Sequence, residues 1–466
     1  MNLHSTKEQK WFYLALGVVV FINLGLLLGE FSYSGYAKRL GLLIVLFFGC
    51  YILHHKKVLI TCYLLLLLSL TPQAMIYPPL HLAGFDVYMF DLLSGAVFVY
   101  YMAQLLLSKQ RSKGIQQIVN KYYFILLAIG LFPVLAEVVR GKYNIMSSYR
   151  FFFYFIWVPV IVKLVQEHRH PAKILKYMLF VNLVTIIIAF AKHFSNRGFC
   201  LYYLDISGEM VLFILLVIFS ACLFHKSLFG NDKMNLIMFL FLLFILIVHH
   251  SRKMYLAFSV SGILLYYAFG KMARMRMVNI SFRFLIVMLF LMAGLCYFGI
   301  FGDFVDRAKS IFVLPIEENI SKVDSSVGFR IYAISRCLKT ICKYPLAGIG
   351  TGESMQLLDY GGRNFYGFTV SSPHNYHLQG LVSYGVPVMI LVYGILIKLL
   401  RLSWKSIKKQ ADADKTFIAM GTFFGFIGFM VAMCFEGFEV ATMLIIWLFF
   451  GLVVGFANID HKNTVG

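Results

Sequence analysis

The sequence predicts an all-α, polytopic membrane protein, and three observations carry that prediction. Hydrophobic residues make up 60% of the chain and charged residues only 14%, with a mean hydropathy of +0.80. Unbroken apolar runs of the length a bilayer core demands recur from end to end. The 42 lysines and arginines gather in short segments between those runs. A soluble fold of this composition would have more apolar surface than interior to hide it in. A transmembrane strand barrel would show short alternating segments in place of solid stretches such as 234–248.

Taken in order, the apolar runs fall near 11–29, 39–54, 58–76, 86–107, 122–139, 149–165, 176–192, 208–225, 234–249, 254–270, 284–302, 374–400, 416–435 and 440–458. That is 14 spans, or 12 if two early, short ones are re-entrant. The first run follows Lys7 and Lys10, is too long for a leader's apolar core and precedes no small-x-small cleavage site, so it reads as a retained helix. Basic clusters at Lys109, Arg111 and Lys113, at Lys271, Arg274 and Arg276, and from Lys398 to Lys409 orient the helices by the positive-inside rule. Both termini are then expected in the cytoplasm, with 303–373 on the outer face of the membrane. The same clusters account for the formal charge of +21, which therefore points to membrane topology and away from nucleic acid. With no internal repeat and no linker, the expected organisation is one transmembrane domain, 1–466, with the extracytoplasmic loop 303–373 inserted in it. Most cysteines lie inside apolar runs, and Cys337 and Cys342 point about 140° apart on one predicted helix. Neither a disulfide framework nor a metal set is visible, and no cofactor is expected.

The long outer insertion holds the residues suited to chemistry. From Phe329 to Lys343, Ile331, Ile334, Leu338 and Ile341 recur at helical spacing and predict an amphipathic helix. Arg336, Lys339 and Lys343 fall opposite that stripe, on a face for solvent or lipid headgroups, and Arg336 is also a candidate contact for an anionic substrate. Arg330 lies about 60° from the stripe's centre and well away from those cations. A guanidinium so placed wants an anion, and a phosphate fits its fork. The segment Pro345-Leu-Ala-Gly-Ile-Gly-Thr-Gly352 reads as a helix stop and tight turn, with Gly348 and Gly350 also candidates to offer amides to substrate. It lacks the Lys-Ser/Thr and the preceding strand of a nucleotide loop.

The motif Ser371-Ser-Pro-His374-Asn-Tyr-His377 opens the next span. Ser372 is expected to cap that helix, Pro373 to occupy its first position and His374 to stand in its first turn. The positive end of a helix keeps an imidazole neutral, the form a general base needs, and attracts a diphosphate. Asn375 can orient a hydroxyl or amide, and His377 shares the turn, but no Cys, Asp or Glu follows at metal-ligand spacing. Arg252 is held in the very short outer turn His249-His-Ser-Arg-Lys253. The carboxylates Asp91, Glu137, Glu209, Glu436 and Glu439 lie in or beside apolar runs, where ionisable groups often mark pathways, and they keep a transporter reading open.

Taken together, Ser251-Arg252 opening a span, Arg330 ahead of Tyr344–Gly352, and His374-Asn375-x-x-Leu378-Gln379 followed by Gly385 and Pro387 resemble the O-antigen ligase and polymerase superfamily. The detailed resemblance covers about residues 205–400. It implies a C-type, multispanning glycosyltransferase of the cell envelope, independent of metal and inverting, whose donor is an undecaprenyl-diphosphate-linked glycan. It places Arg252 and Arg330 on the donor diphosphate and His374 at the acceptor hydroxyl, with Asn375, His377, Gly348, Gly350 and Arg336 as further substrate contacts. The acceptor would be lipid A core, or another terminal acceptor, in a ligase that builds lipopolysaccharide. It would be a second lipid-linked repeat in an O-antigen or exopolysaccharide polymerase. Motif similarity favours the ligase, and the high span count keeps the polymerase in view. A flippase for the same lipid-linked sugars is the alternative of a different class.

Overall fold

A computed structural model describes residues 80–82, 85–87, 89–107, 114–141, 145–167, 208–224, 231–248, 252–268, 325–351, 375–410, 413–435 and 440–459, with single residues between them. The expected spans 11–29, 39–54 and 58–76 lie outside these residues, as do 176–192 and 284–302 apart from Leu179, Leu183 and Ile286. The helices are α1 (Met89–Leu107), α2 (Ile115–Val139), α3 (Ile145–Phe153), α4 (Trp157–Glu167), α5 (Gly208–Phe224), α6 (Asp232–Val248), α7 (Arg252–Ala268), α8 (Ser325–Lys343), α9 (Tyr376–Tyr384), α10 (Val386–Lys409), α11 (Ala413–Ala432) and α12 (Val440–Ala457). Single 3-10 turns join α3 to α4 and extend α11. A short hairpin, β1 (Leu80–Leu82) antiparallel to β2 (Phe85–Val87), precedes α1, so the span expected from residue 86 begins as a strand and becomes helical at Met89.

The protein is an all-α polytopic membrane protein. Among the described residues, 115–139, 149–166, 386–409 and 415–435 are long and apolar enough to cross a bilayer, and parts of α1, α5, α6 and α12 form shorter apolar helices. Burial sorts the helices into two kinds. Along α5 and α12 nearly every described side chain is buried, whichever way it points. By contrast α2 exposes Phe124, Leu131, Phe132 and Leu135, α7 exposes Leu256, Ile263 and Leu264, and α10 exposes Ile390, Leu391 and Ile397. Patches of that size on several helices suit a lipid solvent, not water.

Core helices approach closely because one partner is small at the contact. Gly421 and Gly425 of α11 meet Val217 and Phe213 of α5, Gly428 meets Ser261 of α7 along with Leu216 and Leu212 of α5, and Gly451 and Gly455 of α12 meet Ile161 and Val165 of α4. Without a hydrophobic force between helices in lipid, this kind of packing is what holds a bundle together. The glycine contacts run in opposite order along α5 and α11, so those two helices are antiparallel.

Hydrogen bonds between helix ends sort the bundle into two ends. At one, Ser220 Oγ donates to Phe417 O, Ser406 Oγ to Asn458 Oδ1, Gln410 Nε2 to Ala457 O and Gln166 Nε2 to Asn458 O. Lys163 donates to Gln104 at this end as well. At the other end the first turn of α9 reaches the last turn of α11, and the end of α2 reaches the segment after α8. Chain direction reverses from α1 to α2 and from α2 to α3, then through α5, α6 and α7 and through α10, α11 and α12, while α4 and α5, like α7 and α10, run the same way. Arg252 belongs to the second end, because α6 starts beside the end of α5 and rises about 25 Å before α7 begins.

One ion pair anchors that second end. Arg150 Nε lies 3.0 Å from both Asp91 oxygens and its Nη2 2.9 Å from Oδ2, while Tyr154 OH donates to Oδ1 at 2.7 Å. Both charged side chains are about 95% buried, with relative exposures of 3% and 5%. Removing one partner of a buried pair strips the other of its compensation. Arg150→Ala is therefore expected to lower stability by about 3–5 kcal/mol, and the Asp91→Asn, Arg150→Met double variant to recover much of the loss. Thermal unfolding in detergent measures both; equal losses would mean that the pair does not anchor α1 to α3.

Candidate active site

The amphipathic helix foreseen over 329–343 is α8, extended at its start to Ser325. Its buried face differs from the expected one. Ala333 and Cys337 are fully buried, and Cys337 forms a small core with Ile349 and Val382, against which Ile341 and Leu378 pack. Ile334 and Leu338 are 40% and 50% exposed, so the predicted apolar stripe faces outward in part. Periodicity found an apolar face but could not say whether protein or lipid covers it. Burial pushes the Cys337 thiol up to about 11, which makes it a packing group and not a nucleophile. Arg336, Lys339 and Lys343 are exposed, as the opposite face should be.

The span expected at 374–400 is two helices. Its helix starts at Tyr376, with Asn375 as the cap: Asn375 Oδ1 accepts from Leu378 N at 3.0 Å. The expected cap at Ser372 and first-turn place for His374 are thereby corrected; His374 precedes the cap and lies outside the described residues. The helix then breaks at Gly385, where φ is 83°, and restarts with Pro387 in its first turn.

The break leaves the last carbonyls of α9 and the first amide of α10 without helical partners. The turn after α8 supplies them. Ile349 N donates to Val382 O at 2.8 Å, Gly350 N to Ser383 O at 3.0 Å, and Val386 N to Pro345 O at 2.8 Å. Gly348 N closes the turn on Tyr344 O. The amides of Gly348 and Gly350, foreseen as substrate contacts, are thus spent on protein carbonyls. What selects glycine is the close approach. A Cβ at Gly348, where φ is 63°, would sit 2.5 Å from Val382 O, and one at Gly385 would sit 2.6 Å from the Leu346 carbonyl carbon.

His377 is also committed inside the protein. Its Nε2 lies 3.2 Å from Met430 O, and its Nδ1 lies 2.6 Å from Tyr393 OH. A carbonyl can only accept, so Nε2 carries the proton and Nδ1 accepts from the tyrosine. The ring is a neutral bridge from α9 to α10 and α11, which differs from the substrate contact expected of it. Two further contributors come from α2: Glu137, whose carboxylate suggested a transport pathway from sequence, and Arg140, which no motif marks. Arg140, at the end of α2, donates to Gly348 O at 2.5 Å with its guanidinium 5.5 Å from the Tyr344 ring centre, and the Glu137 carboxylate packs against Gly350.

These contacts fix how α8 and α9 lie. Their C-terminal ends are tied together, and Cys337 and Val382 share one core. Seven residues back along α8 is position 330, on the same helical face as Cys337 within about 20°. Seven back along α9 is Asn375. Position 330 and the start of α9 thus each stand seven residues before the shared core along their own helices.

Residues 237–393 match the protein-family model described as O-antigen ligase, a stretch running from α6 through the junction into α10. No curated protein matches the chain.

Alanine at Gly348 or Gly385 must hold a positive φ and drive its Cβ into backbone. Each substitution is expected to destabilise by about 1–3 kcal/mol. At Gly141, where φ is 74° but a Cβ meets nothing within 4 Å, alanine should cost less. Thermal melts rank the three variants; equal losses would mean that strain alone, and not the approach of the two backbones, selects glycine.

Proposed function

Because residues 237–393 belong to the O-antigen ligase family, we propose that this membrane glycosyltransferase-type enzyme moves a glycan from undecaprenyl diphosphate to an acceptor hydroxyl on the outer face of the plasma membrane. The observation that supports this reading is the tie between the turn after α8 and the α9–α10 break, which packs the helix carrying Arg330 in its sequence against the helix that follows His374. Arg252 heads α7 at the same end of the bundle.

The chemistry asks for little more. The acceptor oxygen attacks the anomeric carbon as the bond to the diphosphate breaks, inverting that carbon. Arg330 and Arg252 take up the charge that grows on the leaving diphosphate, a role suited to the guanidinium fork. His374 accepts the proton lost by the acceptor, or orients its hydroxyl. Asn375, whose side-chain oxygen caps α9, fixes where that helix begins. Arg336 is exposed on α8 and suits contact with anionic substrate or headgroups. The basic helix ends at Lys405, Lys408 and Lys409 put the opposite end of the bundle in the cytoplasm under the positive-inside rule.

Ligase and polymerase share this chemistry and differ in the acceptor, which a transfer assay with defined acceptors identifies. His374→Ala is expected to lower transfer by at least about 10²-fold, and Arg330→Ala or Arg252→Ala by about 10²–10³-fold. Lipid-linked donor should then accumulate on the outer face. Donor trapped on the inner face would instead indicate a flippase, and full transfer by the His374 variant would remove the histidine from the reaction.

A further inference from the structure

Arg140 lies 208 positions from its partner Gly348 in sequence, and outside the stretch that matches the family. Its guanidinium donates to the Gly348 carbonyl and lies over the Tyr344 ring, while one turn earlier Glu137 fills the space beside Gly350 where any other residue would carry a Cβ. The end of α2 therefore grips the turn on one side, and the α9–α10 break holds it on the other.

We propose that Arg140 is a positioning residue for glycan transfer. By clamping Tyr344–Gly350 it fixes the register of α8, the helix of the proposed donor-binding arginine, against α9, the helix that follows the proposed catalytic histidine in sequence. This inference rests on the function proposed above. Arg140 touches no reacting atom; it acts through the turn. A guanidinium suits the task because it can donate in plane to a carbonyl while a face stacks on an aromatic ring. Lysine offers one donor and a point charge, which meets part of the requirement. Tyr344 is held from its own helix as well, with Lys343 Nζ 5.3 Å from the ring centre.

The test uses the full chain in lipid nanodiscs, with a lipid-linked glycan donor and a defined acceptor. Arg140→Ala is expected to lower kcat by about 10- to 100-fold, because misplacing reacting groups by an ångström costs on that scale. KM for the donor should stay within about twofold, and Arg140→Lys should recover part of kcat. Amide hydrogen exchange supplies the second readout. In Arg140→Ala the amides of Ile349, Gly350 and Val386 should exchange faster while those inside α5 and α12 do not change. A general loss of protection would overturn the clamp in favour of plain destabilisation. Faster exchange at the turn with wild-type kcat would overturn positioning. If the wild-type chain transfers no glycan, the proposed function fails, and exchange at those three amides alone decides the clamp.

Discussion

A helix interrupted where its ends are buried must find partners for the backbone groups the break exposes, since each buried unsatisfied group costs about 1–3 kcal/mol. Here the break is at Gly385, and the partners come from a turn about 40 residues earlier in the chain. Val382 and Ser383 give their carbonyls to Ile349 and Gly350, and Val386 takes the carbonyl of Pro345. In water three such bonds would contribute about 0.5–1.5 kcal/mol each. Left buried without these partners, the same groups would cost about 1–3 kcal/mol each, so the turn stays with the break. An apparent surface loop is thereby made part of the bundle, and α8 with it.

The frame that receives this turn is stiff for separate reasons. Helices α5 and α12 are buried on all sides and meet α11 and α4 through glycine contacts that admit little sliding. At the same end as the turn, Asp91 and Arg150 hold α1 to α3, and Trp447 Nε1 donates to Phe151 O at 2.6 Å, tying α12 to α3. Phe151 and Phe152 in turn pack against Tyr384 in the last turn of α9. The break at Gly385 is therefore braced from behind by aromatic rings and from in front by the turn. A site that must hold reacting groups within fractions of an ångström gains from both.

Much of this was legible in the sequence, and what was not has physical causes. The runs at 208–225, 234–249 and 440–458 became α5, α6 and α12 within one or two residues at each end, because long apolar runs need no partner to be recognised. Gly385 followed by Pro387 carried the signal of the helix break, yet the apolar residues around it read as one span. Asn375 won the cap from Ser372 because its oxygen reaches Leu378 N, a competition between good capping residues that local preference alone does not decide. Ile334 and Leu338 are as apolar as any core residue, and spacing cannot tell a protein-facing stripe from a lipid-facing one. Arg140 was invisible as a site residue, since a contact across 208 positions leaves no trace in either segment.

The outward face of α8 then acquires a meaning. Ile334, Leu338 and Leu346 are exposed beside Arg336, Lys339 and Lys343, an apolar strip edged with cations. Such a face settles at the boundary between headgroups and acyl chains. A polyprenyl diphosphate is confined to the same boundary, its chain in the bilayer and its charge among the headgroups. Helix α8 is thus held from one side by α9 and from the other by the membrane surface. Under the proposed function, that double restraint sets the depth of Arg330 at the depth of the diphosphate, so the lipid anchor of the donor and the packing of the enzyme solve the same positioning problem. A guanidinium on a mobile loop would have to find its anion at each turnover, whereas one fixed at this depth meets a donor already confined to two dimensions.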